Sequence, residues 1–441
     1  EEGSLMGVTT NSDGTFEFKI NKNNLVTFCF LGHNAITLKL IPNKFHTIIL
    51  EAGQELDEVQ IVGSRNKNRV ANDTPVAIDF INIEETAANS SQVELTQFLQ
   101  YAIPSFNATK QSGADGADHI DPATLRGLGP DQTLVLINGK RRHQASLINL
   151  YGTRGRGNSG TDLNAIPISA IKRIELLRDG ASAQYGSDAI AGVINIVLKD
   201  TDDELNITST LGFNNADSDH IFPNKIDGFT YKLGLNYGTK INKGGFINFT
   251  AEALSTDHTI RPGTTARKNY GQAAIKNVLL FFNSEIPINK NTKFYTNGGF
   301  SHKNTEAYAF TRTPNSERNV LDLYPNGFNP IITSHILDNS FSLGILTEFK
   351  EWNLDINNTF GRNNFHYFIK NTVNATLEEN SPTEFDAGGH QLIQNTTSID
   401  FSRYFLKSSY GFNVALGLES RLDKYKIFSG EEGSYSSYDV N

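Results

Sequence analysis

Few residue patterns in the 441-residue chain could support catalysis or cofactor binding, and the residues around each pattern argue against it. Gly155-Arg-Gly-Asn-Ser-Gly160 has the glycine spacing of a dinucleotide-binding loop, which requires a buried strand before it and a helix after it. Residues 149–154 are polar and residues 162–167 are not helical in pattern, so neither element is predicted. Ser182 lacks the second glycine that a nucleophile elbow requires. The sequence therefore predicts no catalytic residue and no enzyme.

The residues that commonly bind metals are spread too widely to predict a metal site. The ten histidines show no His-x-x-x-His or comparable spacing, so we expect isolated surface or loop side chains. Cys29 is the single cysteine, which excludes an intrachain disulfide, and its apolar neighbours predict a buried thiol. We therefore expect neither a bound metal nor a cofactor.

Length, charge and hydropathy narrow the classes of protein to which the chain can belong. The length predicts two to four domains. A net charge of −9 argues against a general nucleic-acid binder, which needs a basic face. The sequence has no run of 18 apolar residues and thus predicts no transmembrane helix. Strands that alternate apolar and polar residues can still cross a bilayer at the mean hydropathy of −0.36 found here.

A strand, a glycine-rich connection and a second strand are predicted between residues 171 and 198. The strands are Ile171–Leu177 and Val193–Leu198, and Gly180, Gly186 and Gly192 follow one another at intervals of six residues. Glycine allows a positive φ or the close approach of another backbone at each of these positions. We expect a small-residue turn between the strands.

Residues upstream complete the pattern of an α+β unit. The predicted elements are a strand at Val76–Ile83, a short helix at Val93–Tyr101 capped by Ser91, a buried strand at Thr133–Ile137, and a turn at Asn138-Gly139. These elements and the strand pair after them occupy roughly residues 70–200.

Ordered motifs within this unit resemble the plug domain of TonB-dependent outer-membrane receptors. They are Leu125-Arg-Gly-Leu, Val135-Leu-Ile-Asn-Gly, residues 160–171, and Ile171–Lys199. The resemblance implies that the structural residues of the plug are Arg126, Gly127, Asn138, Gly139, Arg178, Asp179, Gly180, Tyr185, Gly186, Gly192 and Asn195. It further implies that Arg126 and Arg178 pair with glutamates of a surrounding barrel wall. Solvated surface arginines are the alternative.

The segment before the plug-like region resembles a TonB box, the site at which such receptors bind their energy-transducing partner. The box residues are Asp57, Glu58, Val59, Gln60, Ile61 and Val62. Pairing of this segment with a sheet edge of the partner is the expected mode of binding. In isolation the same residues are also typical of an ordinary strand.

The first 54 residues predict a small β-sandwich. Its expected strands are Thr15–Ile20, Leu25–Leu31, Ala35–Leu40 and His46–Leu50. The pattern resembles a truncated carboxypeptidase regulatory-like domain, which often precedes the plug in receptors of Bacteroidetes-type bacteria. We expect a spacer or docking module without peptidase activity.

After Asp200 the sequence changes to long strands in which apolar and polar residues alternate. Tyr231, Leu233, Leu235 and Tyr237 alternate with Lys232, Gly234, Asn236 and Gly238, and the pattern recurs to residue 418. About ten such strands are expected, each with one lipid-facing side, as in an outer-membrane barrel. A soluble β-sandwich or propeller is the alternative on periodicity alone.

The resemblance to the receptor family also implies where a ligand would bind. Outward-pointing plug loops supply the candidates, in residues 111–121 and 141–160. The candidate residues are Asp115, Asp118, His119, Arg141, Arg142, His143, Tyr151 and Arg154. The cationic groups suit an anionic ligand such as a ferric chelate. The sequence favours the alternative that they are solvated loop charges.

These observations combine into a mainly β chain with four parts. They are a partial β-sandwich over residues 1–54, a box and linker over 55–66, a plug domain over 67–203, and the N-terminal half of a 22-stranded transmembrane β-barrel over 204–441. Since a half-barrel would leave two unpaired edges in lipid, we expect a fragment of a longer protein.

The resemblance implies TonB-dependent import of a ferric siderophore or similar chelate across the bacterial outer membrane, with the box in the periplasm. The expected partners are a TonB-type energy-transducing protein, outer-membrane lipid and a small-molecule or oligosaccharide ligand, with no nucleic acid. Oligosaccharide import and signalling are alternatives within the family, and a soluble β-rich adhesin is the alternative outside it.

Overall fold

The computed structural model describes residues 8, 10–11, 14–17, 25–28, 36–41, 44–50, 78–83, 86, 90–150, 153–200, 203–218, 222–241, 244–261, 269–405 and 412–439. The chain divides into two compact units, residues 1–61 with 67–73 and residues 62–66 with 74–441. The predicted box, residues 57–62, lies outside the described residues. Tyr151, one of the predicted ligand contacts, does so too.

The first compact unit contains one pair of strands within its described residues. β1 (Leu25–Phe28) pairs antiparallel with β2 (Ile36–Lys39). Residues 15–17 and 46–50 form no strand, contrary to the prediction. In the second of these stretches Ile49 is 79% exposed. The assignment of residues 1–54 to a regulatory-like β-sandwich stays a prediction.

The second compact unit contains an α+β unit, residues 78–200, built on a five-stranded sheet. Its elements are β3 (Ile78–Asn82), α1 (Leu95–Ala102), β4 (Phe106–Asn107), α2 (Ala117–Ile120), β5 (Thr124–Leu125), β6 (Thr133–Ile137), β7 (Lys140–Arg141), β8 (Ile171–Leu177), α3 (Ser182–Tyr185) and β9 (Gly192–Leu198). Short 3-10 turns lie at Pro130–Gln132, Leu163–Ala165 and Ile168–Ala170. The strand order is β3-β8-β9-β6-β7, in which only β6 and β9 run parallel.

The core of the α+β unit forms because its strands β6 and β9 consist mostly of apolar, branched residues. Every residue of β6 is buried, and the apolar face of α1 packs against this sheet. The predicted strands at Thr133–Ile137 and Ile171–Leu177 are confirmed, and the next begins at Gly192, one residue earlier than predicted. Gly192 has a φ of +155°, and a Cβ there would overlap the Leu177 carbonyl oxygen, so glycine is required.

The predicted helix cap at Ser91 is wrong. Helix α1 starts after Glu94, whose side chain makes no cap hydrogen bond. Instead the side-chain oxygen of Asn164 accepts a hydrogen bond from the backbone N–H of Thr96 at 3.0 Å. Asn164, which lies 68 positions after Thr96 in the sequence, therefore caps the helix in place of a neighbouring residue. The connection between β8 and β9 also differs from the predicted turn, since it contains the one-turn helix α3.

Nine strands of the described chain form a second sheet in which each strand pairs antiparallel with the next. They are β10 (Glu204–Ser218), β11 (Phe222–Ile241), β12 (Gly245–Thr256), β13 (Ala274–Asn289), β14 (Thr292–Tyr308), β15 (Ile331–Phe349), β16 (Trp352–Lys370), β17 (Glu384–Phe405) and β18 (Phe412–Phe428). Short 3-10 segments lie at Ala375–Asn380 and Glu432–Ser434. Within the described residues, none of the helices has the length and hydrophobicity needed to span a membrane.

The two ends of the nine-stranded sheet differ in their connections. Tight turns join β13 to β14 and β15 to β16 at one end, which we call the short-turn end. Residues 257–273, 309–330 and 371–383 connect strands at the opposite, long-loop end. Outer-membrane proteins place short turns in the periplasm and long loops outside the cell.

Alternation along these strands separates an apolar face from a polar one, as the sequence predicts. Tyr231 and Tyr237 are 48% and 46% exposed, whereas Lys232 and Asn236 between them are 7% and 1% exposed. The apolar side chains thus point away from the α+β unit and the polar side chains are covered. We call these the outward and inward faces of the sheet. In a soluble protein the apolar side chains are the buried ones and the polar side chains are exposed.

Candidate functional site

A fully buried ion pair joins the α+β unit to the inward face of the sheet. Lys303 of β14 lies with its Nζ 2.7 Å from Oδ2 of Asp162, and each side chain is 1% exposed. The other carboxylate oxygen of Asp162 accepts a hydrogen bond from the backbone N–H of Asn164 and so starts the 3-10 turn Leu163–Ala165. Burial raises the pKa of the Asp162 carboxyl, although the Lys303 ammonium opposes that shift.

A second buried cluster forms around Asp338 on β15. Its carboxylate accepts hydrogen bonds from the guanidinium of Arg142 and from the side-chain amide of Asn363, and His143 Nε2 lies 2.9 Å from Oδ2. Arg142 and His143 are adjacent in the α+β unit, so consecutive side chains hold one carboxylate. Strand β16 approaches the α+β unit closely at this point, because a Cβ on Gly361 would overlap the His143 ring.

Further hydrogen bonds continue this contact along the sheet. Ser146 bonds to Asn363 Oδ1 through both its backbone N–H and its hydroxyl, at 2.8 and 2.9 Å. The Glu252 carboxylate accepts from the hydroxyl of Ser169 and pairs with Lys232. Other contacts between the two parts are Lys140–Asp355, Asn138–Asn283, His119–Ser334, Arg421–Asp188 and Tyr425–Ser146. The interface is therefore mainly polar, with one apolar cluster in which Ile120 and Leu147 pack near Ile336 and Phe365.

His119 and His143 are buried in this interface, so the expectation that the histidines are isolated surface or loop residues is wrong for both. His119 Nδ1 lies 2.7 Å from the Ser334 hydroxyl, and its ring stacks on Phe365. Burial lowers the pKa of His119 and of His143, and this outweighs the nearby carboxylates Asp118 and Asp338. Both imidazoles are therefore held neutral.

Inside the α+β unit, Lys110 lies between two carboxylates. Its Nζ is 2.7 Å from Asp121 and also contacts Glu94, just before α1. Burial raises the pKa of Asp121 to about 6, with Glu94 adding to the shift and Lys110 opposing it. Because Asn164 also contacts the Asp121 carboxylate, this cluster lies next to the Asp162–Lys303 pair.

The buried histidines predict a loss of stability as the medium becomes acidic. Since folding lowers their pKa below the ordinary value near 6.5, the unfolded state binds more protons, and stability falls as pH drops through that value. From pH 7.5 to pH 6 we expect the free energy of unfolding of the α+β unit to fall by about 1–1.5 kcal/mol. Chemical denaturation at the two pH values measures this.

A variant distinguishes the histidines from other titrating groups. His119→Asn combined with His143→Gln is expected to flatten the pH dependence between 7.5 and 6. Asp121 acts in the opposite direction, because its raised pKa makes the folded state bind more protons below pH about 6. An unchanged pH dependence in the double variant would show that other groups are responsible.

Arg126 and Arg178 do not reach glutamates of the sheet within the described chain. Arg126 lies 3.8 Å from Asp179 and donates to the Arg178 carbonyl oxygen, and Arg178 pairs with Asp79 at 2.8 Å. All four side chains are at least one-third exposed. Within the described residues both arginines therefore pair inside the α+β unit, and their pairing with glutamates of a barrel wall stays a prediction.

The other residues predicted to shape the α+β unit make backbone turns and hydrogen bonds. Asn138 and Gly139 have φ values of +48° and +76°, as their turn requires. Asn195 accepts from the Gly139 N–H and donates to the buried carboxylate of Glu175. Positive φ values also occur at Arg126, Gly127 and Gly186. Arg141 donates to the carbonyl oxygen of Tyr185, and Gly180 lies in the connection between β8 and α3.

The predicted ligand-binding residues separate into distinct groups. Arg141 pairs with Asp188 at 2.6 Å, while Arg142 and His143 hold Asp338. A cavity of about 10 Å³ lies beside these three residues. They are not solvated loop charges, because the wall covers them. Arg154 lies away from them and donates to Asn107.

Asp115, Asp118 and His119 lie at the long-loop end of the α+β unit. The carbonyl oxygen of Asp115 accepts from Tyr367, and Gly113 contacts Tyr270. The loop of residues 309–330 contributes Arg312, which interacts electrostatically with Asp115. Burial and the neighbouring Arg318 lower the pKa of Arg312. Two neighbouring guanidinium groups here form a candidate anion site.

The sequence patterns predict no role for these two arginines. Residues 311–318 carry loop-forming residues and two arginines, which resembles any exposed loop. Only the pairing of β14 with β15 places that loop beside residues 113–119. No local signal in the sequence reports that position.

Comparison with known proteins agrees with this architecture. The family model described as TonB-dependent Receptor Plug Domain matches residues 70–193. The ferric enterobactin receptor PirA of Pseudomonas aeruginosa is 25% identical over 306 residues, which are 68% of this chain and 39% of that receptor. A second ferric enterobactin receptor of the same organism is 33% identical over 122 residues, covering 28% of this chain and 16% of the receptor.

A solved structure shares the fold. The crystal structure of a variant of the ferric enterobactin receptor PfeA of Pseudomonas aeruginosa superposes with a TM-score of 0.57 at 19% identity, over 81% of this chain and 50% of that chain. This chain therefore spans half or less of the length of these three proteins. The family match falls on the α+β unit, and the nine-stranded sheet follows it. The family match over residues 70–193 identifies the α+β unit as a plug domain of the TonB-dependent receptor type.

Proposed function

We propose that this chain is part of a receptor that imports a ferric siderophore across the bacterial outer membrane, driven by a TonB-type protein. The observation that carries the proposal is a plug domain held by buried polar contacts to the inward face of a sheet whose outward face is apolar. The relatives named as ferric enterobactin receptors support a catecholate ligand. They are receptors, and we propose no enzymatic reaction.

The anion site at the long-loop end supports an anionic cargo. Arg312 is close enough to Asp115 of the plug to interact with it electrostatically, and Arg318 is a neighbour of Arg312. Ferric tris-catecholate complexes carry net negative charge, and hydrogen bonds from arginine to an ionised acceptor are worth about 1.5–3 kcal/mol each. A ligand bound there would contact both the plug and a loop of the sheet. Its binding would therefore change the contacts that the plug makes.

The polar plug–sheet interface suits a plug that has to move. An apolar interface would expose hydrophobic surface when the plug shifts, whereas charged and amide groups regain hydrogen bonds from entering water. Force enters through the segment of residues 57–62, which pairs with the sheet edge of the TonB-type partner. The pull is transmitted to the plug, whose contacts with the sheet break and open a path.

An uptake experiment in cells tests which ligand the receptor imports. A strain lacking the receptor is complemented with the full-length protein and supplied with a ferric tris-catecholate, haem, cobalamin or an oligosaccharide. We expect complementation to restore uptake of the ferric catecholate alone. Arg312→Gln with Arg318→Gln is expected to weaken its binding at least about tenfold. Arg403→Gln, at the short-turn end, is the matched control and should bind normally.

Two outcomes would contradict the proposal. Restored growth on oligosaccharide without ferric uptake would assign the receptor to glycan import. Normal ferric binding by the double arginine variant would place the anion site elsewhere.

A further inference from the structure

The outward face of β13 to β18 carries uncharged side chains over most of its height. On β14 these are Phe294, Thr296, Gly298 and Phe300, in order from the short-turn end. The register between strands puts the corresponding residues of β15 and β16 beside them, as in the pair Phe341 and Phe360. Many of these side chains are exposed in the chain itself, as expected for contact with lipid tails.

Toward the long-loop end, the same face changes from uncharged to basic. The first ionisable side chain met on the outward face is Lys276 on β13, His302 on β14, His335 on β15, Arg362 on β16 and Lys424 on β18. Each of the five is exposed. β17 contributes the neutral Gln391 at this level. The edge of the apolar band nearest the long loops is therefore lined by cations and hydrogen-bond donors.

Three of the basic residues form a compact group, which we call the basic patch: Arg362, Lys424 and Lys426. The register places Arg362 opposite Ile393 of β17, and Ile393 opposite Lys424. Lys426 is two residues further along the same face of β18. Since neighbouring strands are about 4.8 Å apart, the backbones of Arg362 and Lys424 lie about 10 Å apart. Side chains of this length can converge on one phosphate group from that distance.

No carboxylate neutralises the basic patch within the described part of the chain. The outward carboxylates Glu306 and Asp386 lie closer to the long loops, where they pair with Lys370 and His366. On β18, Asp423 points to the inward face, where it accepts from Gln394. Among the residues that the structure describes, the patch thus presents positive charge without a paired carboxylate, directly above an apolar surface.

We propose that Arg362, Lys424 and Lys426 bind the phosphate groups of a lipid headgroup in the outer leaflet of the membrane. The apolar band below, with Ile393 and Leu422 nearest, would contact the acyl chains of the same lipid. A basic group at the level of the headgroups is attracted to anionic lipid, and arginine and lysine both bind phosphate. This site lies on the opposite face of the sheet from the plug and is independent of the imported ligand.

Binding of a purified lipid to the full-length receptor tests the proposal. The receptor in detergent is titrated with diphosphorylated lipid A, with the same lipid after removal of both phosphates, and with inorganic phosphate, and bound lipid is measured by native mass spectrometry. We expect the diphosphorylated lipid to bind at least about tenfold more tightly than its dephosphorylated form. Arg362→Gln with Lys424→Gln and Lys426→Gln should remove that difference.

Two further variants separate a phosphate site from general loss of charge or structure. Lys290→Gln with Lys350→Gln and Arg403→Gln removes three positive charges at the short-turn end and should leave lipid binding unchanged. Arg362→Lys keeps the charge and should retain most of the binding. Binding of ferric catecholate should be normal in every variant, which shows that the receptor is folded.

The proposal would be overturned if the triple variant at the basic patch retained the diphosphorylated lipid as tightly as the wild type. It would equally be overturned if inorganic phosphate at the same concentration displaced the lipid completely, since the acyl chains would then contribute nothing.

Discussion

Replacement of Val59 by proline is expected to abolish uptake of the ferric ligand while its binding at the cell surface is unchanged. Strand pairing with a sheet edge depends on backbone N–H groups, and proline removes one and restricts the backbone. The proposed ligand site lies at the long-loop end of the receptor, so its affinity should not depend on residue 59. Uptake and surface binding of radiolabelled ferric catecholate measure the two quantities separately.

Val59→Thr is the matched control. Threonine is also β-branched and keeps the backbone N–H, so the added strand can form and uptake should be close to normal. Deletion of Asp57–Val62 should reproduce the proline result. If uptake survived both the proline substitution and the deletion, the proposed box would be wrong.

Lys303→Met is expected to be the most destabilising single substitution at the plug–sheet interface. It leaves the carboxylate of Asp162 buried without its partner, since both side chains are 1% exposed. Removal of one member of a buried ion pair typically costs about 3–5 kcal/mol. We expect the free energy of unfolding of the plug to fall by that amount, measured in denaturant with a fluorophore on the plug.

The double variant Asp162→Asn, Lys303→Met should recover most of the loss. It removes both charges, and asparagine keeps the side-chain oxygen that caps the turn at Leu163–Ala165. Lys293→Met provides the control, because Lys293 and Glu285 form a more exposed pair on neighbouring strands, worth less than about 1 kcal/mol. A double variant no more stable than Lys303→Met would show that the charge of Asp162 is not the cause.

The elements that the sequence predicts correctly are those whose pattern is complete within a few residues. Thr133–Ile137 and Ile171–Leu177 are recognisable because the first is buried along its whole length and the second along most of it. The sheet after Asp200 is recognisable because one face is apolar over many strands, and nine of the expected ten strands are present in the described residues. The order of motifs in the plug predicts the family.

The contacts across the interface could not be predicted in the same way. Arg142 and its partner Asp338 are 196 residues apart, and His119 and Ser334 are 215 apart. A lone histidine or an Arg-Arg-His run has the same local sequence whether a wall covers it or water does. The positions become buried only when strands β14 to β16 face the plug. The roles of the plug residues and the domain boundaries stay predictions.

The predicted helix cap at Ser91 is wrong for a related reason. Ser91 has the residue type and position of a helix cap, but Asn164 supplies the hydrogen bond to Thr96 from a distant turn. The same Asn164 contacts Glu94 and Asp121. A residue that satisfies several buried groups at once is not visible in a window of neighbouring residues.

Dependence of uptake on the energised inner membrane tests the central claim most directly. Cells that carry the full-length receptor are given radiolabelled ferric catecholate, and accumulation is followed before and after an uncoupler collapses the proton gradient. We predict that accumulation stops while binding at the cell surface persists, because the plug stays seated unless a TonB-type partner pulls it. Accumulation that continued at the same rate after the uncoupler would contradict the account.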